Sequence, residues 1–156
     1  MRNIILIHAD RCVGCRNCMF ACSLAHEGLF SFAESRITPV WLEEIAMHIP
    51  TLCVQCLDPP CVEICPVEAI TRDEETGAMI LDPELCIGCK QCLAVCPFGG
   101  ISMDPESERI SICDLCGGEP ECVRHCLYGA LEWVSLSDAA YLKRRAGAKR
   151  LADALE

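Results

Sequence analysis

Sixteen cysteines fall into four groups of four, and no feature of the chain limits its fold more. The groups are Cys12, Cys15, Cys18, Cys22; Cys53, Cys56, Cys61, Cys65; Cys86, Cys89, Cys92, Cys96; and Cys113, Cys116, Cys122, Cys126. Groups one and three are spaced C-x2-C-x2-C-x3-C. Group two widens the middle gap to four residues, group four widens it to five, and every group ends in C-x3-C. No cysteine is left over. A chain of 156 residues has room around them for one compact unit or two fused half-units.

Three chemistries use cysteine this densely: disulfide staples, zinc sites and iron–sulfur clusters. The N-terminal apolar run, Ile4 to Ile7, is too short for a signal-peptide core and precedes no small-residue cleavage site. A cytoplasmic, reducing location is therefore expected, which disfavours disulfides; export alongside a signal-bearing partner fits the same sequence. No stretch approaches the ~20 apolar residues of a membrane span. Structural zinc takes four ligands in one tetrahedron, usually from two separated C-x2-C pairs. Here three thiolates at i, i+3 and i+6 suit three corners of one cubane. The last cysteine then opens a helical turn and points toward a second cluster. Pro66 and Pro97 follow the last cysteines of groups two and three, and Gly14 and Gly88 precede second cysteines, where a tight loop needs positive φ. Iron–sulfur chemistry is the reading, with four 4Fe-4S clusters as cofactors.

Paired groups exchange their last cysteine. Groups two and three both end in Cys-Pro and lie close in sequence, which gives Cys53, Cys56, Cys61 with Cys96, and Cys86, Cys89, Cys92 with Cys65. Groups one and four then give Cys12, Cys15, Cys18 with Cys126, and Cys113, Cys116, Cys122 with Cys22. Pairing one with two and three with four satisfies the same spacings.

The segments between groups predict hairpins: AITRDEETGAMILD with a turn at Glu75–Gly77, and ISMDPESERISI with a turn at Pro105. ALEWVSL is a further strand, able to pair with the N-terminal IILIHAD. The expected fold is α+β: two ferredoxin-like halves, each binding two 4Fe-4S clusters beside small antiparallel sheets, plus a C-terminal helix. Residues 1–22 and 97–136 form the first half, 53–96 the second, 23–52 an insertion and 137–156 the helix, with Ser137 as its N-cap. The insertion holds an apolar patch (Leu29, Phe30, Phe32) and a strand, ITPVWLEE; it either covers a cluster or forms a docking surface.

The net charge is −10, with 13 basic and 23 acidic residues, so the basic footprint of a nucleic-acid binder is absent. The balance reverses in the last twenty residues, where Lys143, Arg144, Arg145, Lys149 and Arg150 stand against three acids. That basic helix fits an acidic partner, another copy of this acidic chain, or plain solvation. The hydrophobic fraction of 52% includes the cysteines; without them it is roughly 42%, an ordinary value. His8, His26, His48 and His125 lie in no catalytic arrangement and are read as structural. His125, between Cys122 and Cys126, could hydrogen-bond a cluster sulfur, and Arg16, Lys90 and Arg124 could raise local potentials or simply face solvent. Trp41 and Trp133 are read as packing residues.

The runs LCVQCLDPPCVEICPVEAI, LCIGCKQCLAVCPFGGI and CDLCGGEPECVRHC resemble the four-cluster ferredoxin subunits of multisubunit oxidoreductases. These include electron-transfer subunits of molybdopterin enzymes, the ferredoxins of formate hydrogenlyase and carbon monoxide dehydrogenase, and the small subunit of bacterial tungsten aldehyde oxidoreductases. The resemblance covers roughly residues 4 to 134 and implies that groups one and four share ligands, as do two and three. Cys22 precedes Ser23 and Cys126 precedes Leu127, where a proline is common in the family.

The resemblance implies an electron relay without catalytic residues. One partner would be a catalytic oxidoreductase subunit holding a tungsten or molybdenum pterin and oxidising an aldehyde, and a flavoprotein would be the acceptor. Copies could also stack into a longer relay. The alternatives are a free polyferredoxin, or the relay subunit of a hydrogenase, formate or carbon monoxide dehydrogenase complex.

Overall fold

A computed structural model describes residues 2–153. The strands are β1 (Asn3–Ile7), β2 (Thr38–Leu42), β3 (Met47–Thr51), β4 (Ile70–Arg72), β5 (Met79–Leu81), β6 (Ile101–Met103), β7 (Ile110–Ile112) and β8 (Leu131–Ser135). The helices are α1 (Asn17–Glu27), α2 (Pro60–Glu63), α3 (Gln91–Val95), α4 (Glu121–Arg124) and α5 (Leu136–Asp153). Strands pair only two at a time: β1 with β8, β2 with β3, β4 with β5 and β6 with β7, all antiparallel. The fold is α+β, as the alternation of short strands and cysteine loops predicts.

The expected hairpins form. In both β4–β5 and β6–β7 an aspartate organises the turn: Asp73 accepts from the backbone N–H and hydroxyl of Thr76, and Asp104 does the same from Ser107. Each turn closes at its base, through Asp73 N–H to the Ala78 carbonyl at 2.8 Å and Asp104 N–H to the Arg109 carbonyl at 2.9 Å. The N-terminal strand does pair with the last one, Ile5 opposite Trp133, so the chain's two ends meet across one sheet.

Helix packing decides which cysteine groups are neighbours. α1 packs against α4 and α2 against α3, which places group one beside group four and group two beside group three. Each pair has its own core. The first contains Cys18, Cys22, Cys113 and Cys122 with Met19, Ile37, Leu115 and Leu131. The second contains Cys61 and Cys92 with Ile70, Met79, Ile101, Ile110 and Ile112. The apolar face of β6–β7, a hairpin within the 97–136 segment expected in the first half, therefore lies in the second core. Alternation explains this: the buried residues Ile101, Ile110 and Ile112 can face only one side of a two-stranded ribbon.

The two cores interlock. Cys53 packs against both, and Ala78 of the β4–β5 hairpin is buried in the first. Gly100 lies so close to the Leu52–Cys53 backbone that a Cβ there would sit 2.6 Å from the Leu52 carbonyl oxygen. Arg109, beside β7, reaches across to Glu27 and Glu34, each at 2.7 Å.

The C-terminal helix starts one residue earlier than expected, and its cap is Ser135 rather than Ser137. The Ser135 hydroxyl accepts the Asp138 N–H at 3.1 Å and donates to the Asp138 carboxylate at 2.7 Å. β8 runs straight into the helix, so the last strand residue must serve as the cap.

Candidate metal centres

The loops that carry the cysteines share a backbone signature. The second residue after each group's first cysteine has positive φ: Gly14 at 69°, Gln55 at 57°, Gly88 at 66° and Leu115 at 59°. Turning the chain left-handed there brings consecutive cysteines onto one concave side. Two of the four positions are glycine, as the sequence predicts. The other two are held by tertiary contacts: Gln55 is 3% exposed and Leu115 is 1% exposed.

Gln55 is a residue the sequence reading missed. Its Nε2 donates to the Cys113 carbonyl at 2.7 Å and its Oε1 accepts the Met79 N–H at 2.7 Å. One side chain thus ties the group-two loop to group four. The available signal was the glutamine itself, standing where groups one and three carry glycine.

Four sets of cysteines come together. Cys12, Cys15, Cys18 and Cys126 line one pocket, with Pro39 and Pro50 of the β2–β3 hairpin in its wall. Cys65, Cys86, Cys89 and Cys92 line another, and Cys53, Cys56, Cys61 and Cys96 a third. Cys22, Cys113 and Cys122 lie in the first core with Cys116 beside them: burial, then the thiols of Cys113, Cys22 and Cys116, push Cys122 upward.

These contacts also order the sets in space. Cys122 of the last set feels Cys18 of the first, and Cys113 feels Cys53. Cys92 and Cys96, one turn apart on either side of the α3 terminus, belong to adjacent sets. Numbering each set by the group supplying its three clustered cysteines, the order is one, four, two, three. Cys15 and Cys89, in the two terminal sets, are the exposed cysteines; in sets four and two every cysteine is buried or half-buried.

The donor chemistry fits iron–sulfur clusters. Burial drives Cys18 up to about 12 and Cys53 up to about 11, and it raises Cys113 and Cys122 further. Thiols raised by burial in this way have no reason to ionise unless metal supplies the counter-charge. Arg2 and Arg72 make the complementary point. Burial, then the neighbouring charge of Arg72, lowers the Arg2 pKa; Arg2 donates to the Gln55 carbonyl, and Arg72 to the carbonyls of Cys56 and Gly77. The buried Arg2 Nε has no partner among the described residues. Two adjacent guanidiniums beside Cys53 and Cys56 suit a net anion, which a cubane with four thiolates is.

The last cysteine of every group accepts a backbone N–H: Cys65 from Ala69, Cys96 from Gly100 and Cys22 from Arg36 at 3.3 Å, and Cys126 from Ala130 at 3.2 Å. At Cys65 these turn amides outweigh the small cost of burial and hold the thiol below its usual range.

Around set four the side chains add to this. Arg36 Nη1 meets Asp114 Oδ2 at 2.7 Å, and Asp114 Oδ1 accepts the Cys116 N–H at 3.0 Å. His26 Nε2 lies 3.5 Å from Cys116 Sγ and 3.4 Å from Asp114 Oδ1. Burial, then the charge of Arg36, lowers the His26 pKa. Of the polar residues suspected from sequence, none holds such a place. His125 turns its Nδ1 to the Glu121 carbonyl at 3.0 Å, Arg124 pairs with Glu121 and Lys90 with Glu108. Arg16 lies over the Phe32 ring. His8 pairs with Glu132. His48 fits against Gly14 and packs on Trp41, which is 48% exposed rather than buried in a core; Trp133 does pack against the first core.

Paired helices with crossed cysteine loops, two sets per core, define a polyferredoxin built from two dicluster units. Residues 45–136 match the 4Fe-4S dicluster domain family. The chain belongs to that family, among the polyferredoxin-like iron–sulfur subunits of oxidoreductases, with four 4Fe-4S clusters as its cofactors. It is 46% identical over 123 residues to the polyferredoxin-like subunit of the aliphatic sulfonate oxidoreductase of Pyrococcus furiosus, covering 78% of this chain and 70% of that one. It is 33% identical over 184 residues to formate hydrogenlyase subunit 2 of Escherichia coli, covering 93% and 88%. A chain in the active-site complex BamBC of benzoyl coenzyme A reductase with 1,5-dienoyl-CoA matches it with a TM-score of 0.50 and 26% identity, over 98% of this chain and 96% of that one.

Proposed function

We propose that the chain is a non-catalytic relay subunit that carries electrons from a catalytic oxidoreductase subunit to an acceptor. Its four clusters would be held by Cys12, Cys15, Cys18 and Cys126; Cys113, Cys116, Cys122 and Cys22; Cys53, Cys56, Cys61 and Cys96; and Cys86, Cys89, Cys92 and Cys65. The observation that carries this is the linear order of the four sets, with exposed cysteines only at its two ends. Each bound cluster supplies one-electron redox chemistry. What the chain supplies is spacing, burial of the inner sets and hydrogen bonds to the thiolates.

Both ends offer apolar surface for docking: Val13 and Tyr128 beside set one, Leu85 and Ile87 beside set three. A catalytic subunit at one end and a flavoprotein or other acceptor at the other would complete the route. The resemblance to small subunits of tungsten aldehyde oxidoreductases favours a tungsten or molybdenum pterin in the catalytic partner, with an aldehyde as substrate. Among the described residues no helix is long and apolar enough to cross a membrane. Exposed cysteines at both ends equally permit copies to join end to end.

Purification from the native host at low salt, followed by metal analysis, tests the reading. A complex with sixteen irons per copy of this chain, plus tungsten or molybdenum, is expected. A lone 17.1 kDa species carrying all the electron-transfer activity would overturn the subunit role. Truncation before α5 tests end-to-end assembly through the basic helix, which fails if particle size is unchanged.

A further inference from the structure

We infer that His26 is a positioning residue for the inner set formed by Cys22, Cys113, Cys116 and Cys122: it donates a hydrogen bond from Nε2 to the Cys116 thiolate and so raises that cluster's reduction potential. The inference rests on the reading of these four cysteines as cluster ligands.

The geometry fixes the direction of the bond. His26 Nε2 faces two groups, Cys116 Sγ at 3.5 Å and Asp114 Oδ1 at 3.4 Å. A ligating thiolate and a carboxylate both accept and neither donates. Nε2 must therefore carry the proton. Asp114 is itself held in place by Arg36 Nη1 at 2.7 Å and by the Cys116 N–H at 3.0 Å, so the ring meets a fixed pair of acceptors. Arg36 completes the frame by giving its backbone N–H to Cys22 Sγ at 3.3 Å.

Reduction adds one electron to a cluster already carrying net negative charge. A donor on a coordinating sulfur stabilises the more negative state, more strongly in a buried site than in water. The electron comes from the catalytic partner and leaves to the acceptor; His26 keeps its proton throughout. Each crossed cysteine, in all four sets, accepts one backbone N–H. Set four has side-chain donors as well: Cys116 faces the His26 ring, and Cys22 the Ser35 hydroxyl. The set concerned is the most enclosed, with Cys22, Cys113 and Cys122 all buried. A raised potential there parks the electron inside the protein, away from solvent oxidants.

The test is an EPR-monitored redox titration of the full-length, cluster-loaded protein, with iron counted in each sample. His26→Leu removes the donor, His26→Gln restores an N–H near the Nε2 position, and His125→Leu is the control. In His26→Leu one of the four potentials is expected to fall, with the reduced-to-oxidised ratio at fixed potential dropping about tenfold, equivalent to about 59 mV for one electron. His26→Gln and His125→Leu should match wild type to within about twofold in that ratio. The inference is overturned if His26→Leu keeps sixteen irons and all four potentials. Should His26→Leu lose iron, His26→Gln decides: wild-type iron content and potentials support the donor role, and loss or a shift overturns it. Wild-type protein short of sixteen irons would instead overturn the cluster reading beneath the inference.

Discussion

Groups one and four both lack the proline that follows the last cysteine of groups two and three, and they lack it for opposite reasons. After Cys126 the chain behaves as though the proline were there. Gly129 donates to the Cys126 carbonyl at 3.2 Å, as Glu68 does to Cys65 and Gly99 to Cys96 at 3.3 Å. All three donors have positive φ, and the amide one residue further on reaches the cysteine sulfur in each case. Leu127 is thus a substitution within an unchanged turn.

After Cys22 the helix simply continues, for five more residues to Glu27. A helix commits its own amides to carbonyls, so none is left to turn back onto the cysteine. The N–H that Cys22 accepts comes instead from Arg36, fourteen residues away. Ser23, fully buried, anchors that return: its hydroxyl donates to the Phe20 carbonyl at 3.2 Å and accepts the Ser31 N–H at 3.1 Å. The insertion therefore does more than cover set one. It replaces the missing turn, delivers Arg36 to set four, and leaves Phe30, Phe32 and Trp41 at the surface.

Removing the iron should erase this contrast altogether. Chelation is expected to leave the chain largely unfolded by far-ultraviolet circular dichroism, since cluster binding is folding free energy. Native-like dichroism after iron removal would contradict that. The pH dependence has a definite sign. In the unfolded metal-free chain the thiols titrate as free cysteines, at about 8.5, and are protonated near neutrality. Iron must displace those protons, so uptake should strengthen from about pH 6 to about pH 9 and release acid, measurable in a pH-stat.

Ser23→Pro sharpens the comparison most directly. It breaks α1 in mid-course and removes the anchor for Ser31, so a loss of about 3 kcal/mol or more is expected, read as an earlier denaturant midpoint for cluster bleaching. Ser23→Ala keeps the helix and removes only the hydroxyl; about 1 kcal/mol should be lost on the same measurement. Leu127→Pro places the family's common residue in a turn already shaped for it, and a change within about 0.5 kcal/mol is expected. Equal effects of proline at positions 23 and 127 would mean that the two segments do not differ as described.

Much of this molecule is legible in its cysteine spacing. The short gaps allow few backbone paths around a cubane, and hairpin signals between groups leave little freedom for the strands. Gly14 and Gly88 mark left-handed positions because glycine is the residue that adopts them at least cost. Gln55 and Leu115 hold the same backbone without that mark. Their conformations are secured by contacts to Cys113, Met79 and the first core, partners distant in sequence. The same reason hid His26. The sequence draws attention to His125, flanked by two cysteines, but helical geometry turns that ring outward to Glu121. His26 reaches Cys116 only because α1 packs on α4 and brings together residues ninety positions apart.

By itself, then, the sequence determined what the chain binds and how many times, since ligand identity and local spacing are covalent properties of sixteen residues. Tertiary structure alone decided the order of the four sets, which ends are exposed, and which side chains reach the sulfurs. Those depend on helix packing and on desolvation, and neither is written in the distance between neighbouring cysteines.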